Sequence, residues 1–284
     1  MRLRLLFVSL VLFSISTLAC GFVGGGFSPT PTLPGATLPP VAPQSAAGVA
    51  VTATLPPSIA PGAVAGPIES IALTSPLPNQ GVRNSIHVEG YSDPAFEQQL
   101  GILVRDANGR VIGSAAAKIQ ADVGQRGAFA VDVPFQVFGD PPGRIVVYST
   151  SPRDGGLTHL SSVDVQLNSD IPPSIPSIDP NHAESIVISS PVPNATLPGS
   201  VTVSGISDPT FDQTLIVEVR GQNNVQLGRA TAHINAAVGQ RGPFSIDVPF
   251  QAFGDPPGRI VVYAISPRDG KTVHLSSVEV NLQP

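Results

Sequence analysis

The chain has 284 residues, 42% of them hydrophobic and 12% charged, with a net charge of -5, 31 prolines, 28 glycines, one cysteine and no tryptophan. That length accommodates one large domain or two ordinary ones, and a proline and glycine content of about a fifth excludes a mainly helical protein. A mildly acidic balance with no basic run after Arg4 excludes nucleic acid as a partner, and a single cysteine excludes both an intrachain disulfide and a cysteine-rich zinc site.

Residues 1–19 read as a lipoprotein-type signal peptide. Arg2 and Arg4 form a positive n-region, Leu5 to Ile15 is apolar but for two serines, and small residues follow. The only cysteine, Cys20, closes the stretch Thr17-Leu18-Ala19-Cys20-Gly21. This placement resembles a bacterial lipoprotein signal, which implies that Cys20 is acylated and becomes the mature N-terminus. The other reading is an uncleaved signal anchor, since Leu5 to Val23 is about long enough to span a bilayer. Either anchor makes the membrane a partner and places the rest of the chain outside the cytoplasm, at the cell surface or envelope. Residues 20–68 form a disordered tether rich in Pro, Gly, Ala and Thr. Gly21 to Ile68 contains no Asp, Glu, Lys or Arg, and its repeated prolines prevent a packed core.

An offset of 115 positions aligns Glu69–Leu167 with Glu184–Leu282 without a gap, and roughly 58 of the 99 positions are identical. The expected organisation is therefore domain 1 at 69–167, a stiff proline-bearing linker at 168–183, and domain 2 at 184–284. Within each copy the pattern is that of strands. Phe129, Val131, Val133 and Phe135 alternate with smaller or polar residues, as do Phe244, Ile246, Val248 and Phe250. The same period marks Leu100 to Val104 and Val163 to Leu167, and shorter strands are expected at Ile71–Leu73, Ile86–Val88, Val111–Ser114 and Ile145–Tyr148. Turn signals at Pro76–Asn79, Asn108-Gly109, Asp140–Gly143 and Asp154-Gly155 separate them. About seven strands in about a hundred residues predict an all-β fold of two tandem immunoglobulin-like β-sandwiches.

The loops Ser151-Pro-Arg-Asp-Gly155 and Ser266-Pro-Arg-Asp-Gly270 are the candidate binding loops. The guanidinium forks of Arg153 and Arg268, with Asp154 and Asp269 beside them, suit a carboxylate or sugar; the alternative is turn chemistry with local pairing. Asp93 with Glu97, and Asp208 with Asp212, supply too few oxygens for calcium. His159 and His274 are the matched histidines, one per copy, and read as solvent-edge strand residues. Neither copy has a second matched histidine, so no metal site, no cofactor and no catalytic residue is expected.

The order Ile-x-Leu/Ile-x-Ser-Pro-x-Pro-Asn (Ile71 to Asn79, Ile186 to Asn194), Val-x-Gly (Val88 to Gly90, Val203 to Gly205), Phe-Glu/Asp (Phe96-Glu97, Phe211-Asp212) and Ser-Pro-Arg-Asp-Gly resembles the immunoglobulin-like domain of bacterial spore-germination proteins. The resemblance spans both copies. It implies an extracytoplasmic β module, often carried by lipoproteins, without enzymatic activity. The expected function is a noncatalytic envelope lipoprotein whose paired modules bind an envelope protein, a polysaccharide or another extracellular component, in a context related to spore germination. A surface spacer without a ligand is the alternative, and an accessory module of an extracytoplasmic enzyme system the third.

Overall fold

The computed structural model describes residues 66–139, 141–253 and 257–284. The expected signal peptide, Cys20 and the expected tether up to residue 65 lie outside the described residues.

The first repeat supplies β1 (Ile71–Ser75), β2 (Gly81–Val82), β3 (Ser85–Ser92), β4 (Gln99–Arg105), β5 (Val111–Lys118), β6 (Gly127–Pro134), β7 (Pro142–Thr150) and β8 (Leu157–Leu167). The second supplies β9 (Ile186–Ser190), β10 (Thr196–Pro198), β11 (Ser200–Ser207), β12 (Thr214–Arg220), β13 (Gln226–His233), β14 (Gly242–Pro249), β15 (Pro257–Ile265) and β16 (Thr272–Gln283). Every strand read from the alternation is present. The one missed in each repeat, β2 or β10, is too short to show a period.

Each repeat is a two-layer sandwich. In the first, β1-β3-β6 faces β8-β7-β4-β5; in the second, β9-β11-β14 faces β16-β15-β12-β13. After β1 the chain changes layers, and β2 runs parallel to β8, as β10 does to β16. Alternate residues of the facing strands fill each core: Val88, Ile102, Val104, Phe129, Val133, Ile145 and Val147 in one, Val203, Val217, Val219, Phe244, Val248, Ile260 and Val262 in the other.

The run Ile145-Val146-Val147 is buried throughout, as is Ile260-Val261-Val262. Strands with such runs are covered on both faces. The odd members point into the sandwich, while Val146 and Val261 join Leu160 and Leu275 in a third apolar cluster between the repeats. There β8 and β16 meet antiparallel at one bridge, Leu160 with Leu275, joining the two larger sheets into a ten-stranded sheet. The linker is laid back on the first repeat, with Gly81 N–H donating to Ile171 O at 2.6 Å and Ser174 Oγ to Pro78 O at 3.0 Å.

Candidate functional site

The contact between the repeats is built from equivalent residues. Leu160 and Leu275 are each other's counterparts under the 115-residue offset, and so are Ile68 and Ala183, which form a second antiparallel bridge. A pseudo-twofold axis therefore passes through both bridges. Glu69 N–H donates to His182 O and Glu184 N–H to Pro67 O, each at 2.9 Å. Ser162 Oγ donates to Val273 O at 2.6 Å and Ser277 Oγ to Thr158 O at 2.7 Å. Such reciprocity defines an isologous interface within one chain.

On this axis lie four side chains, Glu69 and His159 from the first repeat with Glu184 and His274 from the second. β8 and β16 carry the histidines, and the segments just before β1 and β9 carry the glutamates. His159 Nε2 stands 3.0 Å from Glu184 Oε1 and 3.7 Å from Glu69 Oε1. His274 Nε2 stands 3.2 Å from Glu69 Oε1 and 3.5 Å from Glu184 Oε1. The imidazoles meet edge to face, their centroids 6.0 Å apart. The second oxygen of each glutamate is held by the other repeat: Ser185 N–H donates to Glu69 Oε2 at 2.9 Å, and Ser70 N–H to Glu184 Oε2 at 2.8 Å. His182 approaches Glu69 Oε2 at 3.9 Å. Glu69 Oε1 is buried and accepts no hydrogen bond.

Both histidines were expected at a solvent edge. Their side chains are instead only 12% and 14% exposed, because each repeat covers the face that the other alone would leave open. Burial works against charge on all four groups, and the opposite charges outweigh it. The carboxyls of Glu69 and Glu184 are held well below the usual range by the two imidazoles. The imidazole of His159 is raised and that of His274 is pushed up to about 10 by the carboxylates they face.

Flanking the quartet are two ion-pair networks that contain all four candidate loop residues. Arg144, 4% exposed, donates from Nε to Asp164 Oδ1 at 2.9 Å and from Nη1 to the fully buried Asp269 at 3.2 Å. Arg268 Nη2 reaches the same Asp164 at 3.2 Å. Across the axis, Arg259 donates from Nε to Glu279 Oε1 at 2.7 Å and from Nη2 to Asp154 Oδ1 at 3.2 Å, and Arg153 Nη1 to Glu279 Oε2 at 2.6 Å. Arg153 and Arg268 each reach a carboxylate of the other repeat, and Arg153 also pairs with Asp154 of its own turn at 3.1 Å. Of the acids weighed for calcium, Asp93 and Asp208 pair within their own repeats with Arg126 and Arg241, and Asp212 accepts from Thr214.

Beside the quartet opens a cleft of about 450 Å³, lined from both repeats by Asp164, Asp208, Phe211, Pro267, Arg268 and His274 among others. Its counterpart across the axis, reaching His159, Asp93 and Glu279, measures about 230 Å³.

The geometry defines a class: a tandem immunoglobulin-like protein whose repeats dock through a self-complementary face. Residues 70–156 and 185–271 each match the family described as the immunoglobulin-like domain of bacterial spore germination. The matches span more than half of the chain, which belongs to that family. Domains of this class are generally noncatalytic. No protein with a curated description matches the sequence. Among solved structures, a red sea bream transglutaminase is similar at 12% identity and a TM-score of 0.27, over 75% of this chain and 31% of that one. A Salmonella alpha-2-macroglobulin variant is similar at 14% and 0.26, over 77% and 15%, and a chimeric titin Z1Z2 tandem at 10% and 0.22, over 75% and 97%. The chain thus spans under a third of the first two, and likenesses this slight carry no argument.

Proposed function

We propose that this is a noncatalytic, extracytoplasmic protein, held to the membrane through Cys20 or an uncleaved signal anchor, whose paired repeats bind a component of the cell envelope. The observation that carries the reading is the cleft of about 450 Å³ between the repeats. Its size falls in the range of ligand sites, and it mixes an apolar wall with a few polar groups. Phe211 stands 77% exposed at its rim, beside Arg268 and Asp208, and an exposed aromatic next to an arginine is a common anchor for a partner. The family supports a place in germination or a related envelope process. Against catalysis, the acids and histidines with the strongest shifts are committed to one another in ion pairs, leaving none free to act on a bound molecule.

The test is binding of the full chain, in mild detergent, to isolated wall polysaccharide, membrane and secreted-protein fractions. Phe211→Ala is expected to weaken binding about tenfold with an unchanged circular dichroism spectrum. A spacer is the second reading, favoured by the engagement of Arg153 and Arg268 inside the molecule. It prevails if no fraction binds and only shortening the tether alters the phenotype.

A further inference from the structure

Four potential ligands converge on the pseudo-twofold axis. One ligand atom each of Glu69, His159, Glu184 and His274 lies within 4.8 Å of every other. A zinc-type ion takes His nitrogen and carboxylate oxygen at about 2.0–2.2 Å in a tetrahedron, whose ligand–ligand edge is then about 3.3–3.6 Å. Four of the six edges, the nitrogen–oxygen separations of 3.0, 3.2, 3.5 and 3.7 Å, straddle that value, and the other two are within 4.8 Å. We propose that Glu69, His159, Glu184 and His274 form a tetrahedral site for one divalent transition-metal ion of the zinc type, closed across the two repeats.

Three further observations support it. Glu69 Oε1 is buried and turned into the cluster, close to both imidazoles but in hydrogen-bond geometry with neither, a placement that suits a ligand oxygen better than an acceptor. The outer oxygens of both glutamates are fixed by the amides of Ser70 and Ser185, the outer-shell support that orients ligating carboxylates. An ion entering here displaces the imidazolium protons, and the two carboxylates and two neutral imidazoles that remain carry two negative charges, matched by one divalent cation in a buried place. Two oxygens are far too few for calcium or magnesium, while imidazole suits zinc and its neighbours. Four protein ligands leave no open position, so the ion is a fastener between repeats rather than a Lewis acid. The two clefts reach His274 and His159 and give an entry path.

The experiment takes the full chain, stripped with a chelator, and adds zinc alone. One zinc per chain is expected by elemental analysis after dialysis, with melting raised by roughly 5–10 °C at zinc a hundredfold above Kd. Cobalt in its place gives the intense visible bands of a tetrahedral site, a readout on the unaltered protein that survives any folding defect in a variant. Glu69→Gln and His274→Gln lower zinc affinity at least tenfold, whereas His87→Ala, at an exposed histidine beside Glu89 and Asp132, leaves it unchanged. Absence of retained zinc and of the cobalt bands overturns the proposal and leaves a metal-free ion-pair quartet. Zinc binding lost with His87→Ala overturns it equally.

Discussion

Arg259 and Arg268 carry the same charge into the same interface, yet burial separates their weights. Arg259 has no exposed surface and bridges Asp154 and Glu279; removing it breaks both contacts and empties a buried place, while Asp154 keeps Arg153 and the Gly156 amide, a loss of about 2–3 kcal/mol. Arg268 is 26% exposed and its partner Asp164 49%, the regime in which a pair contributes about 1 kcal/mol or less. Urea melts are expected to order the variants accordingly, Arg259→Ala far below Arg268→Ala; equal losses would refute the weighting. Part of the pH dependence, beside that of the quartet, follows from Asp154 and Asp269. Burial raises both carboxyls, but the Gly156 amide with Arg153 and Arg259, and the Lys271 amide with Arg144, outweigh it and hold them below the ordinary 3.8. A lowered carboxyl stabilises the fold fully above its unfolded value and loses that contribution as pH falls through the folded one. Melting temperature should therefore decline below about pH 4, and the Asp154→Asn, Asp269→Asn double variant should flatten that acid limb in part, the share of Glu69 and Glu184 remaining.

Among the strands, Gly90 of β3 and Gly205 of β11 show why the family pattern holds Val-x-Gly. A Cβ on Gly90 would overlap the Ala72 carbonyl of β1 and crowd the Phe129 ring, and one on Gly205 would overlap the Val187 carbonyl of β9. Neither backbone can retreat without opening the antiparallel pairing on which the smaller sheet rests. Gly205→Ala is expected to cost roughly 1–3 kcal/mol through this overpacking, read as a lower denaturation midpoint with an unchanged slope. The strands themselves were legible because one face of each is buried and the side chains alternate, as at Phe129 to Phe135. The extension of β8 back to Leu157 was not, since Thr158 and His159 are polar residues that become interior only when the other repeat arrives. A clue was present in Ile145-Val146-Val147: three consecutive apolar residues in an otherwise alternating sheet signal a covered outer face, and the outer face here is covered by Val261.

At the scale of the whole molecule, the quartet was invisible to a search within each repeat, because each contributes one glutamate and one histidine. The site exists only where the chain meets its own copy, 115 residues away. That reciprocity has a consequence for assembly. The contacting residues Glu69, Val146, Asp154, His159, Leu160 and Ser162 recur identically as Glu184, Val261, Asp269, His274, Leu275 and Ser277, so each repeat presents a patch complementary to itself, the condition for a twofold dimer. A chain ending at Asn168 offers this patch without its covalent partner and is expected to self-associate by sedimentation. The contact should be weaker than in the full chain, where the linker holds the second patch at an effective concentration of about millimolar. Val146→Asp in that shortened chain sets a buried charge against its own counterpart and should return it to monomer. If the shortened chain folds and stays monomeric at every concentration, the interface depends on tethering rather than on self-complementarity, and the zinc-type site would then be the leading candidate for what closes it.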